Sequence, residues 1–185
     1  MKTYKIYSAG EWIETKTPLE VINPYTNRVF AKTFLAGAEE VNQTIEKAKQ
    51  SEEKMKNLPA HDKYRILMQI SEGIRENREH LAVTLAHQSG KPLRYALGEI
   101  DRATQGFIIA AEEAKRLPRE YFSIDWTPKG EGFEGLVRYF PVGLVAGISP
   151  FNFPMNLAVH KSAPAITAGN PIILKPASST PLSVL

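Results

Sequence analysis

None of the 185 residues is a cysteine, which excludes a disulfide framework, a thiolate nucleophile and a thiolate metal site within the chain. Long apolar runs are missing too. The opening Met1-Lys2-Thr3-Tyr4-Lys5-Ile6-Tyr7 has none of the hydrophobic stretch of a secretory signal, and no segment approaches the ~20 apolar residues of a membrane span. A cytoplasmic location is the resulting expectation. Charge of one sign is not in excess: 23 lysines and arginines are interleaved with 20 aspartates and glutamates, a formal net charge of +3, so no basic stripe faces nucleic acid. His61, His80, His87 and His160 show no metal-ligand spacing with nearby carboxylates, and metal dependence is not expected. No internal repeat or low-complexity tract supports a solenoid or a linker.

What is present is an ordinary globular composition, 43% hydrophobic and 23% charged, at a length suited to one domain or parts of two. Residues 3–34 mix aromatic and β-branched residues with turn signals such as Ser8-Ala9-Gly10-Glu11 and Asn23-Pro24-Tyr25-Thr26-Asn27, and predict a small β meander. Val41, Ile45 and Ala48 fall at helical spacing and predict a helix over 38–57, stopped by Pro59. A second helix is predicted over 61–88 with a break near Asn77, and a third over 93–117 after Ser89-Gly90-Lys91-Pro92. Residues 118–135 lack periodicity and read as a connection, followed by a strand at 136–140.

From Pro141 the texture changes. Val142 to Ile148 is nearly all apolar, as in a strand buried on both faces, and is followed by a helix over 155–168, a Gly169-Asn170 cap and a second buried strand at 171–175. This is a β-α-β unit, which should be parallel. A further helix is predicted to start with Thr180 as N-cap and Pro181 at the first helical position. The division expected is 1–140, an N-terminal meander with helices and a bridging or oligomerisation strand, then 141–185, the start of a Rossmann-like nucleotide-binding unit of α/β class. Two strands do not complete a doubly wound sheet, so a truncated unit is expected, with no catalytic domain.

Pro150-Phe151-Asn152-Phe153-Pro154 lies at the carboxyl end of the first strand of that unit, where open α/β sheets place their ligands. Around it stand Pro141-Val142-Gly143, Lys161, Ala163-Pro164-Ala165, Gly169-Asn170 and Lys175-Pro176-Ala177-Ser178-Ser179-Thr180-Pro181, and upstream Ile22-Asn23-Pro24, Gly90-Lys91-Pro92 and Glu99. Together these residues resemble the aldehyde dehydrogenase superfamily along essentially the whole chain, close to its lactaldehyde and succinate-semialdehyde types. The β-α-β unit has no Gly-x-Gly-x-x-Gly loop at its turn, and a generic dinucleotide fingerprint would pass it over.

The resemblance implies oxidation of an aldehyde to a carboxylic acid with hydride transfer to NAD or NADP, through a cysteine-bound thiohemiacetal and thioester. In the family the asparagine of P-x-N-x-P donates a side-chain N–H to the thiohemiacetal oxygen, and here it is Asn152. A preplaced amide donor at a developing oxyanion contributes ~3–4 kcal/mol in a dry pocket. The alternative has Asn152 cap the helix that begins near Pro154. Lys175 matches the lysine that hydrogen-bonds the adenosine ribose, against the plainer reading of a solvated strand end. Many NAD-preferring members place a glutamate where this chain has Ser178, and a serine cannot repel a 2′-phosphate, so NADP is expected to be accepted. Ile148, Ser149, Pro150 and Phe151 correspond to residues lining the nicotinamide and ribose side of the cleft. Lys161 matches a lysine proposed to move protons during thioester hydrolysis; the alternative is a structural lysine paired with a carboxylate.

Arg102 lies on a helix that borders the aldehyde tunnel in relatives, where it could pair with a carboxylate or phosphate on the substrate. The alternative is a surface arginine paired with Glu99 or Asp101. Gln88, where relatives often have glutamate, is expected to be structural, and His160 a packing or capping residue. The chain holds neither the family's cysteine nor its glutamate base and is expected to be inactive alone. The intact protein is expected to be a homo-oligomer, dimer or tetramer, with an aldehyde as its small-molecule partner. Two other readings stand beside this one: a nucleotide-binding module without chemistry, and a structural pseudoenzyme.

Overall fold

Short strands with tight turns dominate the first 35 residues in the computed structural model, which describes all 185 residues. β1 (Lys2–Thr3), β4 (Thr17–Asn23) and β5 (Arg28–Leu35) form a sheet in the order β1-β5-β4, while β2 (Ile6–Ser8) and β3 (Glu11–Ile13) make a separate hairpin. The hairpin turn takes positive φ at both Ala9 (51°) and Gly10 (92°), the backbone that a two-residue turn between right-twisted strands requires. The predicted meander therefore needs correction. β1 pairs parallel to β5, Lys2 opposite Ala31, because Tyr4 packs on the small cluster of Val21, Ala31 and Leu182 and holds the first strand on the free edge of β5.

The helical stretch follows the predicted order with different ends. The helix expected over 38–57 is two, α1 (Ala38–Lys49) and α2 (Glu52–Lys56), separated where the Ser51 hydroxyl donates to the Ala48 carbonyl (2.6 Å). The break expected near Asn77 divides α3 (Ala60–Glu76) from α4 (Arg78–Ser89), and the Asn77 side chain closes α3 on the Gly73 carbonyl (2.8 Å). Gly90 ends α4 at φ 69°, and α5 runs from Leu93 to Ala114. Leu67, Leu85 and Ile100 are fully buried where α3, α4 and α5 meet, each stabilising the fold by ~1.5–3 kcal/mol. The alanines of α5, Ala96, Ala103, Ala110 and Ala111, let its neighbours approach closely.

Residues 118–135 are not a bare connection. β6 (Arg119–Ser123) pairs antiparallel with β7 (Glu134–Arg138), Tyr121 opposite Leu136, around a single 3₁₀ turn at Pro128–Gly130. Both faces of this ribbon are largely exposed, so β6 lacks the apolar alternation by which a half-buried strand is read. Gly130, Gly132 and Gly135 have the letters of a Gly-x-Gly-x-x-Gly motif, but they lead into a strand and not into a helix, so no helix N-terminus is there to receive a phosphate.

β8 (Val145–Ile148) and β9 (Ile172–Lys175) are parallel, Val145 opposite Ile172 and Ile148 opposite Lys175, with α6 (Pro154–Ala168) between them in sequence. The class is α/β, with the expected β-α-β unit. Gly169 terminates α6 at φ 82°, and the Asn170 side chain accepts the Gly143 amide (3.1 Å), tying the helix end to the segment before β8. One expectation fails here: within these residues β8 is not buried on both faces, for Val142, Ala146 and Ile148 are exposed and only Gly147 is buried. Pro181 opens a turn closed by the Val184 amide on its carbonyl (3.2 Å), and the Thr180 hydroxyl, buried and unpaired, does not cap it.

Candidate functional site

The two strands of the β8–β9 sheet point their carboxyl ends at one crevice. The ladder continues one residue past β8, with the Ser149 amide donating to the Lys175 carbonyl (3.0 Å), before the chain turns through Pro150–Phe153 into α6. An open cavity of about 570 Å³ lies beside this turn, lined by Phe151, Asn152 and Lys91 with Ser179 and Thr180 from the segment after β9. The position is the one at which open α/β sheets bind ligands.

Asn152 is exposed, and its carboxamide makes no hydrogen bond within the chain. It does not cap α6. Phe153 occupies the N-cap position without a side-chain bond, and the amides of Met155 and Asn156 are satisfied from another helix: Glu99 Oε1 of α5 accepts both, at 3.0 and 3.2 Å. A carboxylate suits a helix N-terminus, where unpaired N–H groups and the helix dipole both favour negative charge. Glu99 is only 1% exposed, and its other oxygen is held by Lys91 Nζ at 2.5 Å. The same ammonium donates to the Asn152 backbone carbonyl (3.1 Å) and sits 4.2 Å from the centre of the Phe153 ring.

Arg102 also faces that ring, its guanidinium carbon 5.6 Å from the centroid. The expected alternative of a surface pair with Glu99 or Asp101 is not what forms. Glu99 is taken by Lys91, and Asp101 is gripped at both oxygens by Arg78 (2.6 and 2.8 Å), which holds the Asp101 carboxyl below the usual carboxylate range. Arg102 makes no ion pair.

The other predicted residues fall into separate groups. Ile148, Pro150 and Phe151 are exposed along the turn, and Ser149 is buried with its hydroxyl unpaired. Lys175 is exposed at the end of β9, bonded only to its neighbour's Pro176 carbonyl (3.1 Å), and it borders with Ser178 a second cavity of about 290 Å³. Lys161 lies two turns along α6 from Pro154, its Cβ against Gly147, and its ammonium reaches back one turn to donate to the Leu157 carbonyl (3.0 Å) rather than to a carboxylate, against the structural pairing weighed from sequence. His160 is exposed, its ring 3.3 Å from the Asn156 amide. Gln88 is structural as expected: buried and bonded at both ends of its amide, it accepts the Leu182 N–H and donates to the Ser183 hydroxyl, both at 2.7 Å.

The Lys91–Glu99 pair went unread as a unit, although both residues were noted separately. The signal was available, because Glu99 falls on the apolar stripe of α5 with Ala96, Ile100 and Ala103, and a carboxylate there requires a partner.

Comparison with known proteins places these features in context. The model of the aldehyde dehydrogenase family matches residues 12–185. The 3-sulfolactaldehyde dehydrogenase of Priestia aryabhattai is 38% identical over 100% of this chain, which covers 38% of that enzyme. Aldehyde dehydrogenase 21 of Physcomitrella patens, solved in complex with the reaction product succinate, superposes with a TM-score of 0.95 at 38% identity over 99% of this chain and 38% of its own. The NADP-dependent glyceraldehyde-3-phosphate dehydrogenase of Bacillus halodurans C-125, solved with NADP, has a TM-score of 0.92 at 33% identity, covering 98% of this chain and 39% of its own. The chain thus spans less than two-fifths of the length of these relatives.

Proposed function

The chain belongs to the aldehyde dehydrogenase family, and we propose that it contributes the oxyanion donor and part of the cofactor site to an enzyme that oxidises an aldehyde to the carboxylic acid with NAD or NADP. One observation carries this reading. Asn152 presents an unbonded carboxamide to the crevice, relieved of helix capping by Glu99. Attack of a thiolate on an aldehyde turns the carbonyl oxygen into an oxyanion, and the Asn152 N–H is a neutral donor that can meet this charge without surrendering a proton. The thiolate comes from outside these 185 residues, which contain no cysteine. Lys161, its ammonium at the Leu157 carbonyl, serves proton movement in the later thioester hydrolysis in this proposal.

The residues suit a dinucleotide. Lys175 is an exposed ammonium with no carboxylate partner, Ser178 beside it carries no negative charge, and the Ser149 hydroxyl is buried and unsatisfied. Lys175 and Ser178 would hold the ribose side and accommodate a 2′-phosphate, with Ile148, Ser149, Pro150 and Phe151 along the nicotinamide side. The bound cofactor supplies the hydride acceptor. Arg102, free of ion pairs and stacked near Phe153, reads an anionic tail on the aldehyde, in keeping with the sulfonate-, succinate- and phosphate-bearing molecules in the names of the relatives. The intact enzyme works as a homo-oligomer through the exposed β6–β7 ribbon, in the cytoplasm where NAD(P) pools lie.

The test is NAD(P) reduction by the full-length protein against neutral and anionic aldehydes, with an Asn152→Ala variant. Turnover that falls ~100-fold or more in the variant supports the oxyanion role. No turnover with any aldehyde moves the reading to a nucleotide-binding module or a pseudoenzyme.

A further inference from the structure

The turn that carries Asn152 is held from beneath by two charged side chains of other elements. Lys91, in the connection between α4 and α5, and Glu99, on α5, form a pair in which the side chains are 15% and 1% exposed. Each does more than neutralise the other. Glu99 fixes the first turn of α6 through the amides of Met155 and Asn156, and Lys91 fixes the residues just before it through the Asn152 carbonyl and the Phe153 ring. The backbone on the carboxyl side of the Asn152 Cα is thereby pinned from its own carbonyl to the first turn of α6, while the Asn152 carboxamide is left without a partner in the chain.

We propose that Lys91 and Glu99 are positioning residues, which set the direction of the Asn152 amide toward the reacting oxygen. The proposal rests on the oxyanion role given above to Asn152. An oxyanion donor depends on preorganisation: a peptide free to rotate at Asn152 carries the amide away from the developing charge, and a misplacement of ~1 Å costs as much as ~100-fold in rate. A buried pair of this kind is not a gain in stability by itself, since desolvation of the two charges offsets their attraction. Its distinctive consequence lies in what it orients.

A double-mutant cycle in the full-length protein tests the proposal, with steady-state turnover and amide hydrogen exchange as readouts. Lys91→Met is expected to lower kcat at least ~10-fold and to leave KM for NAD(P) within about twofold. Placed on Asn152→Ala, the same substitution is expected to cause no further loss, because the group it orients is gone. Equal losses in the two backgrounds, or an unchanged kcat in Lys91→Met, overturn the proposal. Lys91→Arg, which keeps the charge and guards against misfolding, is expected to retain the unfolding midpoint and an intermediate kcat. If the wild-type protein turns over no aldehyde, the oxyanion reading fails on its own. Exchange then still reads the brace: faster exchange at Met155 and Asn156 in Lys91→Met supports it, and unchanged exchange sinks it.

Discussion

Glu99 is a carboxylate on the apolar stripe of α5, and its surroundings explain why it is affordable there: two helix-terminal amides and one ammonium meet its two oxygens. Glu99→Ala leaves a nearly buried ammonium and two amides without partners. It is expected to cost ~3–5 kcal/mol in urea-induced unfolding, whereas Glu99→Gln, which keeps an acceptor for the amides, is expected to cost less. Arg102 makes a different prediction, on specificity. In the full-length protein Arg102→Ala is expected to raise KM for anionic aldehydes ~10-fold or more and to leave neutral ones unchanged, because a charged hydrogen bond is lost only where the substrate carries charge. Equal effects on both classes would return Arg102 to a surface role. The identities of Asn152, Lys175 and Ser178 were legible from sequence. The freedom of the Asn152 carboxamide from capping was not, because it depends on Glu99, some 50 positions away, whose carboxylate takes the amides at the start of α6.

α6 is the element on which the site turns. Its N-terminus is capped from α5, and its C-terminus ends at Gly169 in the left-handed conformation, where an added Cβ would lie 3.0 Å from Lys63 Nζ and 3.1 Å from the Met55 carbonyl oxygen. Gly169→Ala is expected to destabilise the fold by at least ~1–2 kcal/mol by the backbone term alone, measured by chemical denaturation. Lys63 is buried beside that helix end, and burial pushes its ammonium below the ordinary lysine value. The folded chain then binds fewer protons than the unfolded chain between the depressed value and the usual 10.5, so stability rises with pH across that window. Lys63→Met is expected to flatten this alkaline rise; an unaltered slope would show that Lys63 titrates normally. Helices were legible at this scale because their apolar periodicity is local. β6 was not, since Tyr121 and Leu136 face one another across an exposed ribbon and leave no buried stripe to read.

Across the whole molecule, apolar side chains are left at the surface in one region above others. Tyr121, Trp126, Phe133, Leu136 and Phe140 are all more than 60% exposed on and around the β6–β7 ribbon. Contiguous exposed apolar surface of this kind marks an interface. Tyr121→Lys combined with Leu136→Lys is expected to shift the full-length protein to a smaller species in sedimentation equilibrium, with monomeric secondary structure intact. An unchanged mass would mean that the ribbon carries no subunit contact.

The sequence by itself determined the α/β class, the order of the helices, the parallel β-α-β unit and the residues presented at its carboxyl edge. These follow from periodicity, cap residues and short motifs, which act within a few residues along the chain. Only the tertiary structure decided that β1 joins β5, that β6 exists, that Arg102 stays unpaired and that Asn152 is spared from capping by Glu99 and Lys91. Each of those outcomes is a competition among partners distant in sequence, settled by which group packing brings within hydrogen-bonding reach.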